Sequence, residues 1–560
     1  MKAAACAKHF AVHSGPEALR HEFDAIVSEK DLRETYLPAF EACVREGNVE
    51  AVMGAYNRTN GEPCCASKKL MVDILRGEWE FEGHYVSDCW AIRDFHEHHM
   101  VTSTPEESAA LALRMGCDLN CGNTYLHILK AFQEGLVTEE EITGAAIRLF
   151  TTRFLLGLFD ETEYDKIGYD KVECREHQEL AIEAALESIV LLKNDGVLPL
   201  KKELIRTIGV IGPNADSRAA LIGNYHGTSS VNKTLLEGIR EEAGDSINVI
   251  YSQGCHLFQD RVEHLGERQD RLSEARIVAK NSDVVVICLG LDETLEGEEG
   301  DTGNSYASGD KEDLLLPKVQ RELLQEVLKV GKPVILCNMT GSAIDLSLAQ
   351  EKAAAVLQVW YPGAGGGSAV ASILFGKQSP SGKLPITFYK DLEGMPAFED
   401  YSMRARTYRY IEKTPLYPFG YGLSYSDIRV SAASITTDPV ELNHTIKGMD
   451  GIKVEAIMTN NGSVDASDVL QIYIKDLESE FAVKNFNLCG FKKVFLKAGE
   501  EKKISLTIPT SALTIVDNNG MRYLDSRHFC FYFGTSQPDE RSHELTKKEC
   551  IQVELRLSEV

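Results

Sequence analysis

The feature that most limits the fold is a change of hydrophobic period along the chain. Up to about Asp160, short apolar runs alternate with amphipathic segments of helical spacing. From Ile428 onward, apolar and polar residues alternate one by one, as in Ile452-Lys453-Val454-Glu455-Ala456-Ile457-Met458. The first pattern belongs to parallel βα units and the second to half-buried antiparallel strands. Between them, Ile208–Ile211, Val249–Tyr251, Val284–Leu289, Val334–Cys337 and Ala355–Trp360 are mostly near-continuous apolar runs, as expected for strands buried on both faces. A chain of 560 residues has room for two to four domains. The fold class is α/β multidomain, divided into residues 1–165 as a partial (β/α)8 barrel, 166–200 as a linker, 201–390 as an α/β domain, 391–427 as a connector and 428–560 as a β-sandwich.

The first region reads as about four βα units, with strands at Ala3–Phe10, Val52–Tyr56, Tyr85–Val86 and Cys117–Leu119. Thr104-Pro105-Glu106-Glu107 and Thr138-Glu139-Glu140-Glu141 each predict a helix start with a capping box. A closed barrel takes roughly 250 residues, so only its C-terminal half is expected here.

Charge and composition narrow the function. The formal charge of −26 and pI near 5.1 leave no basic face for nucleic acid. No apolar run reaches the roughly 18 residues of a membrane span. The first residues turn polar too soon for a signal peptide. The 14 cysteines are scattered, and Cys117/Cys121 has no second pair to complete a zinc site. Reduced thiols in a cytoplasm, with no metal and no organic cofactor, are the expectation.

Chemistry-bearing residues cluster at strand ends. Lys8-His9 closes the first strand, Tyr56-Asn57 the second, and Asp88 follows Gly83-His84-Tyr85-Val86-Ser87. In βα repeats, groups at the C-terminal strand ends converge on one face, where catalysis is carried out. A strand-end aspartate more often caps the next helix, but few structural needs would gather a Lys, a His, a Tyr and an Asp together. A second carboxylate source is Leu295-Glu296-Gly297-Glu298-Glu299-Gly300-Asp301, after another strong strand. Such a run is otherwise a solvated acidic loop. Two carboxylates at two strand ends are the minimum equipment of a glycosidase. Gly363-Ala364-Gly365-Gly366-Gly367-Ser368 resembles a dinucleotide loop, but its last glycine is replaced by Ser368. A tight strand-to-helix turn is the favoured reading. Asn57, Asn232 and Asn443 begin glycosylation triplets, which matter only in an exported chain.

Several ordered motifs carry a family resemblance. Lys8-His9-Phe10-Ala11-Val12-His13-Ser14-Gly15-Pro16-Glu17 with Arg20-His21, Val52-Met53-Gly54-Ala55-Tyr56-Asn57, and Ser87-Asp88 are similar to segments of glycoside hydrolase family 3. So are the Glu296–Glu299 loop, Gly382-Lys383-Leu384-Pro385, Arg406-Thr407-Tyr408-Arg409-Tyr410 and Pro415–Tyr425. The resemblance implies a (β/α)8 barrel, an α/β sandwich domain and a fibronectin type III-like β-sandwich. It implies exo-acting β-glycosidases that release monosaccharides from non-reducing ends with retention. By position, Asp88 is the nucleophile and Glu298 the acid/base, with Glu299 as runner-up. Lys8, His9, Arg20, Met53 and Tyr56 line the sugar subsite. Retention asks for two carboxyls about 5–5.5 Å apart, here drawn from different domains.

Cys89 after Asp88, the His13–Glu17 segment and the Glu-Gly-Glu-Glu loop look more like the β-xylosidase branch than the β-glucosidase branch. The expected partner is an oligosaccharide or an aryl or alkyl glycoside, with no nucleic acid and no membrane; a homo-oligomer or a missing N-terminal half-barrel is a further possible partner. A half-barrel exposes apolar strand faces, so this chain alone is expected to be poorly soluble or inactive. A non-catalytic carbohydrate-binding remnant, a phosphorylase variant and an NAD-dependent oxidoreductase are the rival readings.

Overall fold

The computed structural model describes residues 1–13, 15–260, 262, 266–267, 269–297, 310–437 and 451–557. They form two compact units. The first comprises Met1–Lys171, Pro396–Arg404 and Val516–Tyr523, and the second comprises the rest of the chain.

The core of the first unit is a parallel sheet of three strands in sequence order, β1 (Cys6–Phe10), β2 (Ala51–Gly54) and β3 (His84–Ser87). Ala51 pairs with both Cys6 and His84, and Gly54 with both Phe10 and Ser87, so the three C-terminal ends lie level. Alternation along a strand sends Val52 and Tyr85 into an apolar core with Phe10, Leu70, Ile74 and Phe95. Met53 and Val86, one residue on, take the opposite face.

The expected fourth strand, Cys117–Leu119, is a single parallel bridge between Val86 and Leu119. Its ladder is cut short because the Asp118 carboxylate accepts the Tyr85 N–H at 2.9 Å in place of a backbone carbonyl. Arg76 and Arg148 hold the same buried carboxylate at 3.1 and 2.8 Å. Helices α1 (Pro105–Met115) and α2 (Glu139–Leu155) start at Thr104 and Thr138, whose hydroxyls each accept an N–H three residues on. The capping box is complete only at Thr138. At the first helix Glu107 accepts from the Ser103 N–H instead of from Thr104, which corrects the expectation there.

The second unit is built on six strands: β4 (Val190–Asn194), β5 (Thr207–Ile211), β6 (Asn248–Ser252), β7 (Val284–Gly290), β8 (Val334–Met339) and β9 (Ala355–Gln358). Their order is β4-β9-β8-β7-β5-β6, all parallel except the edge pair β4/β9. Residues 166–200, expected as a linker with a helix-like stretch at Gln178–Glu187, carry helix α3 (Arg175–Ser188) and also the edge strand β4. The apolar run Ile189–Leu192 is fully buried and pays for its ordering by joining the sheet.

Successive residues of β7 feed two cores. Val285, Ile287 and Leu289 pack with α6 (Lys318–Leu328) and α5 (Asp270–Lys280), whereas Val284, Val286 and Cys288 pack with α4 (Leu235–Ala243) and α7 (Gly366–Leu374). The Gly363–Ser368 segment is the turn into α7. A side chain at Gly367 would lie 2.0 Å from the Thr234 carbonyl oxygen, and one at Gly238 would lie 2.0 Å from that of Gly367. Glycine is required there by close helix packing.

A β-sandwich completes this unit. One sheet has the order β10 (Ile428–Ile435), β11 (Ile452–Asn460) and β14 (Glu501–Ile508). The other has the order β13 (Asn487–Leu496), β12 (Ala466–Asp476), β15 (His528–Gly534) and β16 (Ile551–Arg556). All of these pairings are antiparallel. The tyrosine-rich segment before it supports the junction. Gly420, at φ +75°, leaves room for the Gln471 amide and the Tyr473 hydroxyl, and Gln471 Nε2 donates to the Gly420 carbonyl at 2.8 Å. Lys383 Nζ pairs with buried Asp468 at 2.7 Å.

Candidate active site

The level strand ends of the first unit place Asp88 directly after β3. Asp88 is 7% exposed. Its Oδ1 accepts the Cys89 N–H at 2.8 Å. Its Oδ2 is buried without a hydrogen-bond partner, and His9 Nε2 is 3.4 Å away. One oxygen is therefore oriented by the backbone and the other is left for an incoming group.

Tyr56 stands beside it. Burial first, and the Asp88 charge second, raise the Tyr56 pKa and keep its hydroxyl protonated as a donor. The Arg20 guanidinium lies over the Tyr56 ring at 5.2 Å and pairs with Glu17. His9 and His13 stack with ring centroids 4.4 Å apart. The His13 pKa is lowered to about 3, by desolvation of its ring first and then by His9, Arg20 and Lys8. His13 is thus a neutral imidazole at ordinary pH.

Of the expected sugar-site residues, His9 and Tyr56 stand beside Asp88, and Arg20 lies over the Tyr56 ring. Met53 is half-buried on the β2 face opposite the apolar core, paired in register with Val86. Lys8 is exposed on β1, and its charge acts on His13. Glu298 and Glu299 lie outside the described residues, as does Asn443. Asn57 is fully buried, and its amide donates to Val12 and Arg58 carbonyls, so it is no glycan acceptor in the folded unit. Among the described residues, no helix is long and apolar enough to cross a membrane.

Near the expected acid/base pair, the second unit anchors Glu296. Its carboxylate accepts the Gly341 N–H at 2.7 Å and the hydroxyls of Tyr361 and Ser342, with Lys311 Nζ at 3.4 Å. These contacts fasten its loop to Gly341, Ser342 and Tyr361.

The structure adds residues that the sequence reading passed over. His21 Nδ1 is 2.8 Å from buried Asp94, and its ring meets Tyr56 edge-on at 5.1 Å. Burial raises the Asp94 pKa, and His21 partly offsets the rise. Tyr401 returns to the first unit, where its hydroxyl accepts the Gly15 N–H at 2.6 Å and its carbonyl accepts from Tyr36. Cys89 and Cys121 form a disulfide, and the Cys121 N–H donates to Ser87 Oγ at 3.0 Å. The expectation of thiols throughout is corrected at this pair; the other cysteines are thiols. Their bridge ties the residue after Asp88 to the loop that follows the Leu119 pairing.

The glycosyl hydrolase family 3 N-terminal domain matches residues 2–152, and the family 3 C-terminal domain matches residues 189–425. A fibronectin type III-like domain matches residues 468–537. A xylan 1,4-β-xylosidase of Xylanibacter ruminicola is 32% identical over 97% of this chain and 78% of its own length.

The chain belongs to glycosyl hydrolase family 3.

Among other family 3 relatives, a β-xylosidase/α-L-arabinofuranosidase of Medicago sativa subsp. varia is 33% identical over 93% of the chain and 70% of its own. Among solved structures, a family 3 exo-β-xylosidase in complex with a xylobiose aziridine probe has TM-score 0.86 and 27% identity. That match covers 99% of this chain and 73% of the other. A β-glucosidase of Erythrobacter marinus has TM-score 0.85 and 30% identity, covering 99% and 74%. As a family 3 member, the protein is a glycoside hydrolase with a multidomain α/β fold.

Proposed function

We propose that the protein is a retaining, exo-acting β-xylosidase in which Asp88 is the nucleophile and Glu298 the acid/base. The observation that carries this reading is the Asp88 carboxylate itself. It is held at a parallel-strand end by one N–H, its other oxygen has no hydrogen bond, and His9 and Tyr56 stand beside it, with Arg20 over the Tyr56 ring. The xylosidase names of the relatives support the choice of sugar.

In this reading Asp88 Oδ2 attacks the anomeric carbon while Glu298 gives its proton to the departing glycosidic oxygen. The C–O bond to the leaving group breaks as the aspartyl ester forms. Water, deprotonated by Glu298, then attacks the same carbon and returns Asp88 as a carboxylate. Tyr56 and His9 supply hydrogen bonds to sugar hydroxyls. Glu299 is the alternative acid/base, and a β-glucosidase is the alternative activity.

The test compares 4-nitrophenyl β-D-xyloside with the β-D-glucoside and follows the first-formed sugar anomer by NMR. The ratio of rates is informative at any absolute activity. Preference for the xyloside with β-xylose released first is the expected result. Preference for the glucoside by tenfold or more, or α-xylose appearing first, would overturn the assignment.

A further inference from the structure

Three metal-ligating side chains converge at the end of the first unit's sheet. His9 comes from β1, His13 from the loop after it, and Asp88 from the end of β3. One ligand atom from each lies within 4.8 Å of the other two, the only such triplet among the described residues. Two side chains are already arranged as ligands. The Asp88 Oδ2 atom is buried without a hydrogen bond, and His9 Nε2 is 3.4 Å from it. The third, His13, is stacked on His9 with ring centroids 4.4 Å apart.

Two imidazoles and one carboxylate are a donor set for zinc-like transition metals; calcium and magnesium prefer oxygen ligands throughout. With metal–ligand bonds of about 2.0–2.2 Å, neighbouring ligand atoms must close up from their present spread. The opposing cation Arg20 is paired with Glu17, and the chain's formal charge of −26 favours accumulation of cations. Arg20 and Lys8, whose charges both act on His13, work against the site.

We propose that His9, His13 and Asp88 bind one transition-metal dication of the zinc type, with the fourth position left to water. The metal would take the Asp88 electron pair that glycoside cleavage needs. Metal and sugar would then exclude one another, a consequence that rests on Asp88 being the nucleophile; the binding itself does not.

Zinc chloride titrated by calorimetry into the chelator-treated full chain tests the site without any substrate. The native chain is expected to bind one Zn²⁺, with affinity falling at least about tenfold in His13→Gln and in Asp88→Asn. Circular dichroism establishes that each variant is folded. Cobalt(II) added to the native chain provides a readout that needs no variant: intense visible bands of a four-coordinate ion are expected. No saturable Zn²⁺ binding, binding retained by both folded variants, or only the weak bands of six-coordinate cobalt would overturn the proposal. Xyloside turnover measured with and without Zn²⁺ separates the two ideas. Zn²⁺ binding without any glycosidase activity would remove the function assigned to Asp88 and leave the metal site standing.

Discussion

His99 is 4% exposed, and its pKa is lowered to about 3, chiefly by desolvation and next by Arg58. In the unfolded chain it titrates near 6.5. Unfolding therefore takes up a proton between those values. The stability that neutral His99 contributes is complete above pH 6.5 and is lost as pH falls towards 3. Urea midpoints of the native chain should decline across that window, and His99→Leu should flatten the decline. An unchanged slope in the variant would show that the ring charges freely in the fold. At this scale the strand-end pattern made the placing of Lys8, His9, Tyr56 and Asp88 legible in the sequence, because parallel strands bring their ends level whatever lies between them; Arg20 was reached only through the family resemblance. Asp94 was hidden by its ordinary setting, and Tyr401 by the 386 residues that separate it from Gly15. The Cys89–Cys121 bridge was equally hidden, since cysteine spacing does not name partners.

At the scale of elements, the first unit shows how one side chain replaces a strand. Asp118 stands where a fourth strand would pair, and it takes the Tyr85 N–H together with Arg76 and Arg148. Burial lowers the Arg76 pKa, and the Asp118 charge counters that effect. Asp118→Ala would leave two guanidinium groups facing one another without a counter-ion. It should cost about 3–5 kcal/mol in chemical denaturation. A loss below about 1 kcal/mol would assign the anchoring to the backbone alone. Periodicity exposed β1 to β3 and the strands of the second unit, whose apolar runs are long. It overstated Cys117–Leu119, because an apolar pattern does not reveal that a side chain will fill the ladder. It also left β4 in a linker, because an edge strand that pairs antiparallel carries no βα signature.

At the scale of the whole molecule, the Gly382-Lys383-Leu384-Pro385 and tyrosine-rich segments serve architecture within the second unit. Lys383 reaches Asp468 in the β-sandwich and the Gly422 carbonyl, and Tyr421 donates to Leu192 of β4 at 2.8 Å. Lys383→Met would leave the buried Asp468 carboxylate with the Val469 N–H at 2.8 Å and, among the described residues, Lys548 at 4.0 Å as its remaining cation. It should destabilise this unit by about 3 kcal/mol and speed proteolysis of the sandwich strands; unaltered melting and proteolysis would contradict that role. The central claim concerns the first unit alone. A 2-fluoro-β-xylosyl fluoride traps an ester in a single event, and its leaving group needs no proton from an acid catalyst. It therefore tests the nucleophile without requiring steady turnover or Glu298. Mass spectrometry of the digested protein should find the fluoroxylosyl adduct on the peptide that carries Asp88, and none after Asp88→Asn. An adduct on another carboxylate, or labelling that survives the substitution, would contradict the account.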